Sequence, residues 1–225
     1  MAKLWWCFIL SSSPFLLWGD QGELDRLVAE STRVRSLTPD FSELTRQDWK
    51  GLQTSFRSWL ESRLPNDAPA LDVMFPKLEG QLKAELRSRD LLQPDKPEGA
   101  VGYVSALKLI QPSEYRNAVI VQAGISVPCG SDDSWYLYHF TLNGKQRILE
   151  ANGSSKHGNE FVDSQFSSLD RFGNRLLYLS WDGVQCASVW NGLEYRVLRL
   201  NPEADHAQPV LSGDHTFVID DDPAR

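Results

Sequence analysis

The sequence predicts an α+β fold, with three N-terminal helices followed by a curved antiparallel sheet of about seven to nine strands built from hairpins and a meander. Two observations predict it. Apolar residues recur every three or four positions up to Leu92, and from Gly99 onward the chain is rich in Val, Ile, Tyr and Trp between regularly spaced turn residues. Two-residue turns in series require antiparallel neighbours, because parallel strands need long crossovers.

The first 19 residues have the layout of a secretory signal peptide. Lys3 precedes an apolar stretch that Ser11–Pro14 interrupts and that ends at Gly19. A membrane-spanning helix needs about 20 unbroken apolar residues. We therefore predict cleavage after Gly19 and a secreted or periplasmic protein, with an uncleaved anchor or a buried N-terminal strand as the alternatives.

Residues 20–98 form the predicted helical region. The first helix spans Glu23–Leu37, the second begins at Thr45 and ends before Pro65, and the third begins near Pro76. Apolar residues recur at helical spacing in each of them. They are Leu24, Leu27, Val28 and Val34 in the first helix, Trp49, Leu52, Phe56, Trp59, Leu60 and Leu64 in the second, and Leu78, Leu82 and Leu86 in the third.

Residues 99–225 form the predicted β-rich region, which makes one compact domain with the helices. Asn-Gly and Asp-Gly dipeptides tolerate the positive φ angles of tight hairpin turns, and they separate several of the strand candidates. The first two predicted strands are Val101–Ile110 and Asn117–Val127. A predicted hairpin joins Trp135–Leu142 to Lys145–Ala151 through a turn at Asn143-Gly144. A predicted meander follows, in which turns at Asp182-Gly183 and Asn191-Gly192 connect Asn174–Trp181, Val184–Trp190 and Leu193–Leu200, and the last predicted strand is Thr216–Ile219. We predict loops at Ala151–Gln165 and Asn201–Gly213.

Charge and composition exclude several classes of protein. The chain has 225 residues, 41% of them apolar and 24% charged, which is typical of a globular protein. The net charge is −7, spread along the chain, and the only acidic run is Asp220–Asp222. Without a basic stripe we expect no nucleic-acid partner, and a membrane association only through an uncleaved leader.

Cleavage of the leader leaves two cysteines, Cys129 and Cys186. Cysteines of exported proteins normally oxidise, so we predict a disulfide between them, with two unpaired buried thiols as the alternative. A bridge across a loop of nearly sixty residues contributes roughly 3–4 kcal/mol in the loop-entropy treatment.

Short catalytic, metal or cofactor motifs are absent, and we predict no cofactor and no metal. Ser105 and Lys108 match the S-x-x-K pattern, but we expect a strand here to place the two side chains on opposite faces, and Ser131–Asp133 is a poor match to its usual S-D-N partner. We interpret His139 as a structural histidine of a strand.

The aromatic residues of the β region support the leading functional hypothesis. Aromatic side chains on a buried sheet face would be core residues or cross-strand pairs, whereas those on an exposed face would form a stacking platform for a sugar or peptide. The favoured location is the core. We hypothesise a non-catalytic, exported module that binds an unknown small molecule or protein, with ligand-binding candidates Trp135, Trp181 and Trp190.

Two other functions remain open, so the sequence does not decide whether the protein is an enzyme. One is a secreted hydrolase with a polar site in the C-terminal loops, formed by His157, Asp205, His206, Asp214 and His215. The other is an envelope-associated scaffold that is tethered by an uncleaved leader.

Overall fold

The protein is described by a computed structural model. It covers residues 21–37, 46–93, 101–113, 115, 117–127, 130–152, 159–168, 171, 174–183, 190–200 and 207–218. The predicted signal peptide and both cysteines lie outside these residues. No helix in the described ranges is long and apolar enough to cross a bilayer.

Three helices come first in the described chain, as the apolar periodicity predicts. They are α1 (Gln21–Leu37), α2 (Arg46–Arg63) and α3 (Ala68–Ser88). All the predicted apolar positions are buried except Val28 and Trp49, which are partly buried against the same core. The amphipathic pattern of each helix therefore turns its apolar residues toward one shared interior.

Helix α3 begins eight residues before the predicted start at Pro76. The Asp67 side chain caps the helix by accepting the backbone N–H of Ala70 at 2.9 Å, and Pro69 occupies the first turn. Proline fits there because the first N–H groups of a helix have no intrahelical acceptor. The Pro65–Pro69 segment, which we predicted only to end α2, therefore also starts α3, and Pro76 lies inside the helix.

Eight strands follow in the described chain, within the predicted seven to nine, and they form two four-stranded antiparallel sheets where a single curved sheet was predicted. The first sheet contains β1 (Val104–Ile110), β2 (Ala118–Val127), β3 (Gly130–Thr141) and β4 (Gly144–Asn152). The second contains β5 (Asn159–Phe166), β6 (Arg175–Gly183), β7 (Trp190–Leu200) and β8 (Gln208–Val218). In each sheet the strands follow chain order, and one parallel pair, Asp132 with Asn159, joins the two sheets.

The first sheet is the middle of three layers. Alternate residues of β3 point to opposite faces: Tyr136, Tyr138 and Phe140 join the core under the helices, whereas Trp135 and Leu137 join the core between the sheets. The second sheet contributes Leu177, Leu179, Trp181, Leu198 and Leu200 to this inter-sheet core. Both faces of the first sheet are therefore covered, which explains why β2 and β3 are buried along most of their length.

The predicted hairpin is present but shifted by one residue, whereas the predicted three-stranded meander is wrong because β6 pairs directly with β7. Thr141 pairs with Gly144, so the hairpin turn is Leu142-Asn143, one residue earlier than predicted. Gly183 pairs with Gly192, which places the predicted Asn191-Gly192 turn inside β7. The predicted middle strand therefore does not separate β6 from β7, and most of its residues (184–189) lie outside the described ranges.

Two segments predicted as loops contain strands. β5 lies within Ala151–Gln165 and ends one residue beyond it, and β8 starts within Asn201–Gly213 and extends to Val218. Both strands pair in register with a neighbour, so backbone pairing overrides their weak local preference for strand.

Candidate binding edge and polar sites

The two described tryptophan candidates are core residues. Trp135 and Trp181 are 1% and 0% exposed and lie between the two sheets. Trp190 is the first residue of β7, and its side chain lies outside the description. A ligand could reach the first two rings only if the sheets separated, so burial favours the structural role that the sequence also suggested.

Polar side chains collect at the end of the second sheet that carries Trp181. Trp181, Glu194 and Asp214 are cross-strand neighbours on β6, β7 and β8, and therefore share the inner face. Arg196 lies on that face with its guanidinium 5.3 Å from the Trp181 ring, pairs with Glu194 at 2.6 Å, and donates to the Asn152 carbonyl at 2.8 Å. The guanidinium thus holds the end of β4 against the second sheet.

Asp214 and His215, two of the hydrolase candidates, point to opposite faces of β8. The His215 ring stacks on Tyr195 on the outer face at a centroid distance of 6.0 Å, whereas Asp214 shares the inner face with Glu194. Adjacent strand residues cannot converge on one substrate group from opposite faces. The other three candidates, His157, Asp205 and His206, lie outside the described residues, so their part of that hypothesis stays a prediction.

A chain of hydrogen bonds connects β1 and β3 above Gly124. Ser131 donates to Asp133 at 2.5 Å, and the Ser105 and Ser131 hydroxyl oxygens are 2.7 Å apart. Because Ser131 has one proton and gives it to Asp133, Ser105 donates to Ser131. Gln122 donates to the other Asp133 oxygen at 3.3 Å, so the carboxylate, which is only 5% exposed as a residue, is held from both sides.

A β-bulge corrects the prediction made for Ser105 and Lys108. The pairing of β1 with β2 shifts between Val104 and Ala106, which turns Ser105 to the face of Gly124. Lys108 pairs with Gln122 on that same face. Lys108 is exposed, however, and lies close enough to Glu79 to help lower the pKa of that carboxyl, which burial alone would raise.

His139, which we interpreted as a structural histidine, is partly buried. Its ring stacks on Tyr115 at a centroid distance of 5.2 Å, and burial lowers the pKa of the imidazole below its usual 6.5. The described residues contain no group of His, Cys, Asp and Glu side chains arranged to hold a metal ion.

Other parts of the described chain contact both edge strands of the first sheet at particular backbone groups. On β1, the Glu79 carboxylate accepts the Leu109 N–H at 2.9 Å, and the chain around Leu92 bonds to the Val104 backbone. On β4, the Ile148 carbonyl accepts the Ala207 N–H at 2.9 Å, and Arg196 occupies the Asn152 carbonyl. These contacts occupy backbone groups that an approaching strand would need.

The edges of the second sheet differ from each other. β5 has a bulge between Phe161 and Asp163, and the Asp163 carboxylate accepts the neighbouring Ser164 N–H at 2.7 Å. β8 pairs with β7 from Gln208 to Val218, and within the described chain no other segment pairs with it. Pro209 and the bulge at Val210 interrupt only its beginning, so with respect to the described residues Leu211–Val218 is an open edge.

The open edge is exposed, apolar in part and held in place. Val210 and Leu211 are 48% and 55% exposed. The Tyr195 ring lies over Gly213 so closely that a Cβ at Gly213 would be 2.5 Å from the phenol oxygen. An aromatic ring over a strand glycine fills the space of the missing side chain, which favours an ordered edge strand.

Comparisons with protein-family models, with curated proteins and with solved structures found no match to this chain. The open edge was not predicted from the sequence, because β8 was predicted as a loop as far as Gly213. Alternation across Leu211–Val218 is broken by Gly213, the residue that Tyr195 covers.

Proposed function

We propose that the protein is an exported, non-catalytic binding module that receives an extended segment of a partner protein along β8. The contrast between the edges carries this proposal: among the described residues, contacts or a bulge interrupt the edges of β1, β4 and β5, whereas no described segment pairs with the outer edge of Leu211–Val218. A partner strand would gain backbone hydrogen bonds along this edge and apolar contact with Leu211. The leader-like N-terminus supports export.

A partner strand supplied in the same chain tests the edge directly. We would fuse eight alternating Val and Thr residues after Arg225 through a short Gly/Ser linker, because a short flexible linker gives an effective concentration of about millimolar. The control donor carries Pro at every second position and cannot form the ladder. We expect a higher melting temperature with the pairing donor alone; equal melting temperatures for the two fusions would contradict the proposal.

Export has two separate tests. N-terminal sequencing of the exported product should find a new start near Asp20, whereas an intact Met1 would favour the tethered scaffold. Mass spectrometry without reduction should find Cys129 joined to Cys186. In the sequence, Val127 and Gly130 are the described residues on either side of Cys129, and Gly183 and Trp190 are those on either side of Cys186. These four residues lie at the same end of the paired strands. Two free thiols in the exported protein would contradict the predicted disulfide.

A serine-dependent hydrolase is the second candidate, and the hydrogen-bond chain from Ser105 through Ser131 to Asp133 favours it. This chain could carry the Ser105 proton to a buried carboxylate during nucleophilic attack. A fluorophosphonate probe should then label the wild type but not Ser105→Ala, with Ser36→Ala as the control on the exposed end of α1. Absence of labelling would leave the binding module as the function to pursue.

A further inference from the structure

We infer that the segment received by β8 is a basic, amphipathic strand of another protein, with Lys or Arg alternating with apolar residues. This inference rests on the proposed function and adds the chemistry of the partner. It follows from the charge around β8 and from the different side chains on its two faces.

Acidic residues are concentrated in the part of the sequence that contains β8. Residues 201–224 contain no Lys or Arg and six carboxylates: Glu203, Asp205, Asp214, Asp220, Asp221 and Asp222. The −7 net charge, which looked evenly spread over the whole chain, therefore has a local concentration in this segment. An edge in such a segment attracts a cationic partner and repels an anionic one.

The carboxylate nearest the middle of the open edge is exposed and unneutralised. Asp214 stands opposite Glu194, and like charges at directly opposite positions destabilise a sheet. Arg196 is committed to Glu194 at 2.6 Å, and within the described chain no hydrogen bond or ion pair engages the Asp214 side chain. The other arginine of β7 in this region, Arg199, pairs in register with Gln208 at the opposite end of β8. A cation on an added strand would relieve this repulsion.

The two faces of β8 require different side chains from the added strand. Ser212 and Asp214 lie on the inner face, whereas Leu211, Gly213 and His215 lie on the outer face with Tyr195 and Val197 of β7. Successive residues of an added strand alternate between the same two faces. Its inner residues would meet the carboxylate and its outer residues would meet Leu211, so basic and apolar residues should alternate.

The same charge argues against a second copy as the occupant. Pairing β8 with β8 of another molecule would bring together two strands that each carry the exposed carboxylate of Asp214 and no Lys or Arg. Oppositely charged cross-strand pairs stabilise a sheet and like pairs destabilise it. The charge therefore selects a different chain as the partner.

Two capped eight-residue peptides test the inference, one of alternating Lys and Val and the other of alternating Glu and Val. Each would be titrated into the full-length protein by fluorescence anisotropy at low and at physiological salt, with amide hydrogen exchange to locate the bound peptide. We expect the Lys peptide to bind at least tenfold more tightly, to weaken with salt and to protect the β8 amides.

Charge variants place the effect on β8. Asp214→Lys should weaken the Lys peptide about threefold to tenfold, as expected from losing one exposed ion pair and adding one repulsion. Asp72→Lys on the exposed side of α3 makes the same change in net charge and should leave binding unchanged. Equal effects of the two variants would mean that only net charge matters and would overturn the inference.

The remaining outcomes also decide the matter. Equal binding of both peptides with protected β8 amides would overturn the charge inference and leave strand addition standing. If the Lys peptide does not bind while the fused Val/Thr donor raises the melting temperature, the charge inference is likewise overturned and strand addition still stands. Failure of both the peptides and the fused donor would overturn the proposed function as well. Concentration-dependent dimers with protected β8 amides would identify a second copy as the occupant.

Discussion

Replacing Gly124 by Ala should strongly destabilise the protein, because polar side chains fill the space where a Cβ would lie. A Cβ at this position would be 2.6 Å from the Ser105 hydroxyl oxygen and still closer to oxygens of Ser131 and Asp133. Ordinary van der Waals contact needs about 3.4 Å or more, so the hydrogen-bond chain must open to make room.

The expected magnitude follows from two costs. Overpacking a well-packed interior costs about 1–3 kcal/mol. Losing a hydrogen bond to a charged group costs about 1.5–3 kcal/mol, and Asp133 is buried. These costs overlap, so we expect Gly124→Ala to lower the free energy of unfolding by about 3 kcal/mol. For a chain of this length the melting temperature falls by about 6–12 °C.

Gly80 provides the matched control. It lies in the middle of α3, and a Cβ there would meet no atom within 4 Å. Gly80→Ala should therefore stabilise the protein by about 0.5–1 kcal/mol through helix propensity. Chemical denaturation followed by circular dichroism measures both variants. A loss below about 0.5 kcal/mol for Gly124→Ala, with Gly80→Ala behaving as expected, would refute the crowding argument.

Three further predictions concern other parts of the fold. Glu85→Ala should lower the free energy of unfolding by about 3–5 kcal/mol, because it leaves the buried Arg63 guanidinium without its carboxylate partner. Arg63→Met should lower it by less. Denaturation curves that show the reverse order would contradict this. Gly213→Ala should destabilise the wild type but not a Tyr195→Ala background, so additive losses in the double-mutant cycle would disprove the crowding of β8. Burial lowers the pKa of His139 below 6.5, so the unfolded chain binds more protons than the folded one and the free energy of unfolding should fall as the pH drops below 6.5. The dependence of the free energy of unfolding on pH should be shallower in His139→Gln. An unchanged pH dependence in denaturation experiments would contradict this.

The sequence was sufficient to predict the helices because their apolar residues follow one period over several turns. Trp59 and Leu60 are completely buried, as the stripe on α2 required. The boundary at Ala68 was missed because Pro65–Pro69 contains signals for both a helix end and a helix start. Only the bond from Ala70 to Asp67 shows that the start signal is used.

The strand errors arise from long-range pairing. Asn191-Gly192 is a good local turn signal, but Gly192 pairs with Gly183 and with Thr216, so both of its neighbours hold it in extended backbone. β5 was missed because its sequence is largely polar and contains a bulge. Neither the pairing nor the bulge has a short-range signature, which is why local propensity failed at these positions.

The candidate site could be predicted only in part. Trp135 and Tyr136 are neighbours on β3 and lie on opposite faces, but only the three-layer arrangement shows that both faces are buried. The bulge at Ser105 reversed the facing expected from strand alternation. The open edge of β8 depends on which other edges are covered, and that is a property of the assembled fold.

Residue-resolved hydrogen exchange of the Val/Thr donor fusion and its Pro-containing control shows whether a strand adds to the edge of β8. Amides of Leu211–Val218 that face away from β7 should be protected only in the pairing fusion. Pro residues lack N–H groups and fix φ, so the control donor cannot form the paired strand that would hold its carbonyls against these amides. Protection of these amides to the same extent in both fusions, or in neither, would contradict the claim that β8 receives a partner strand.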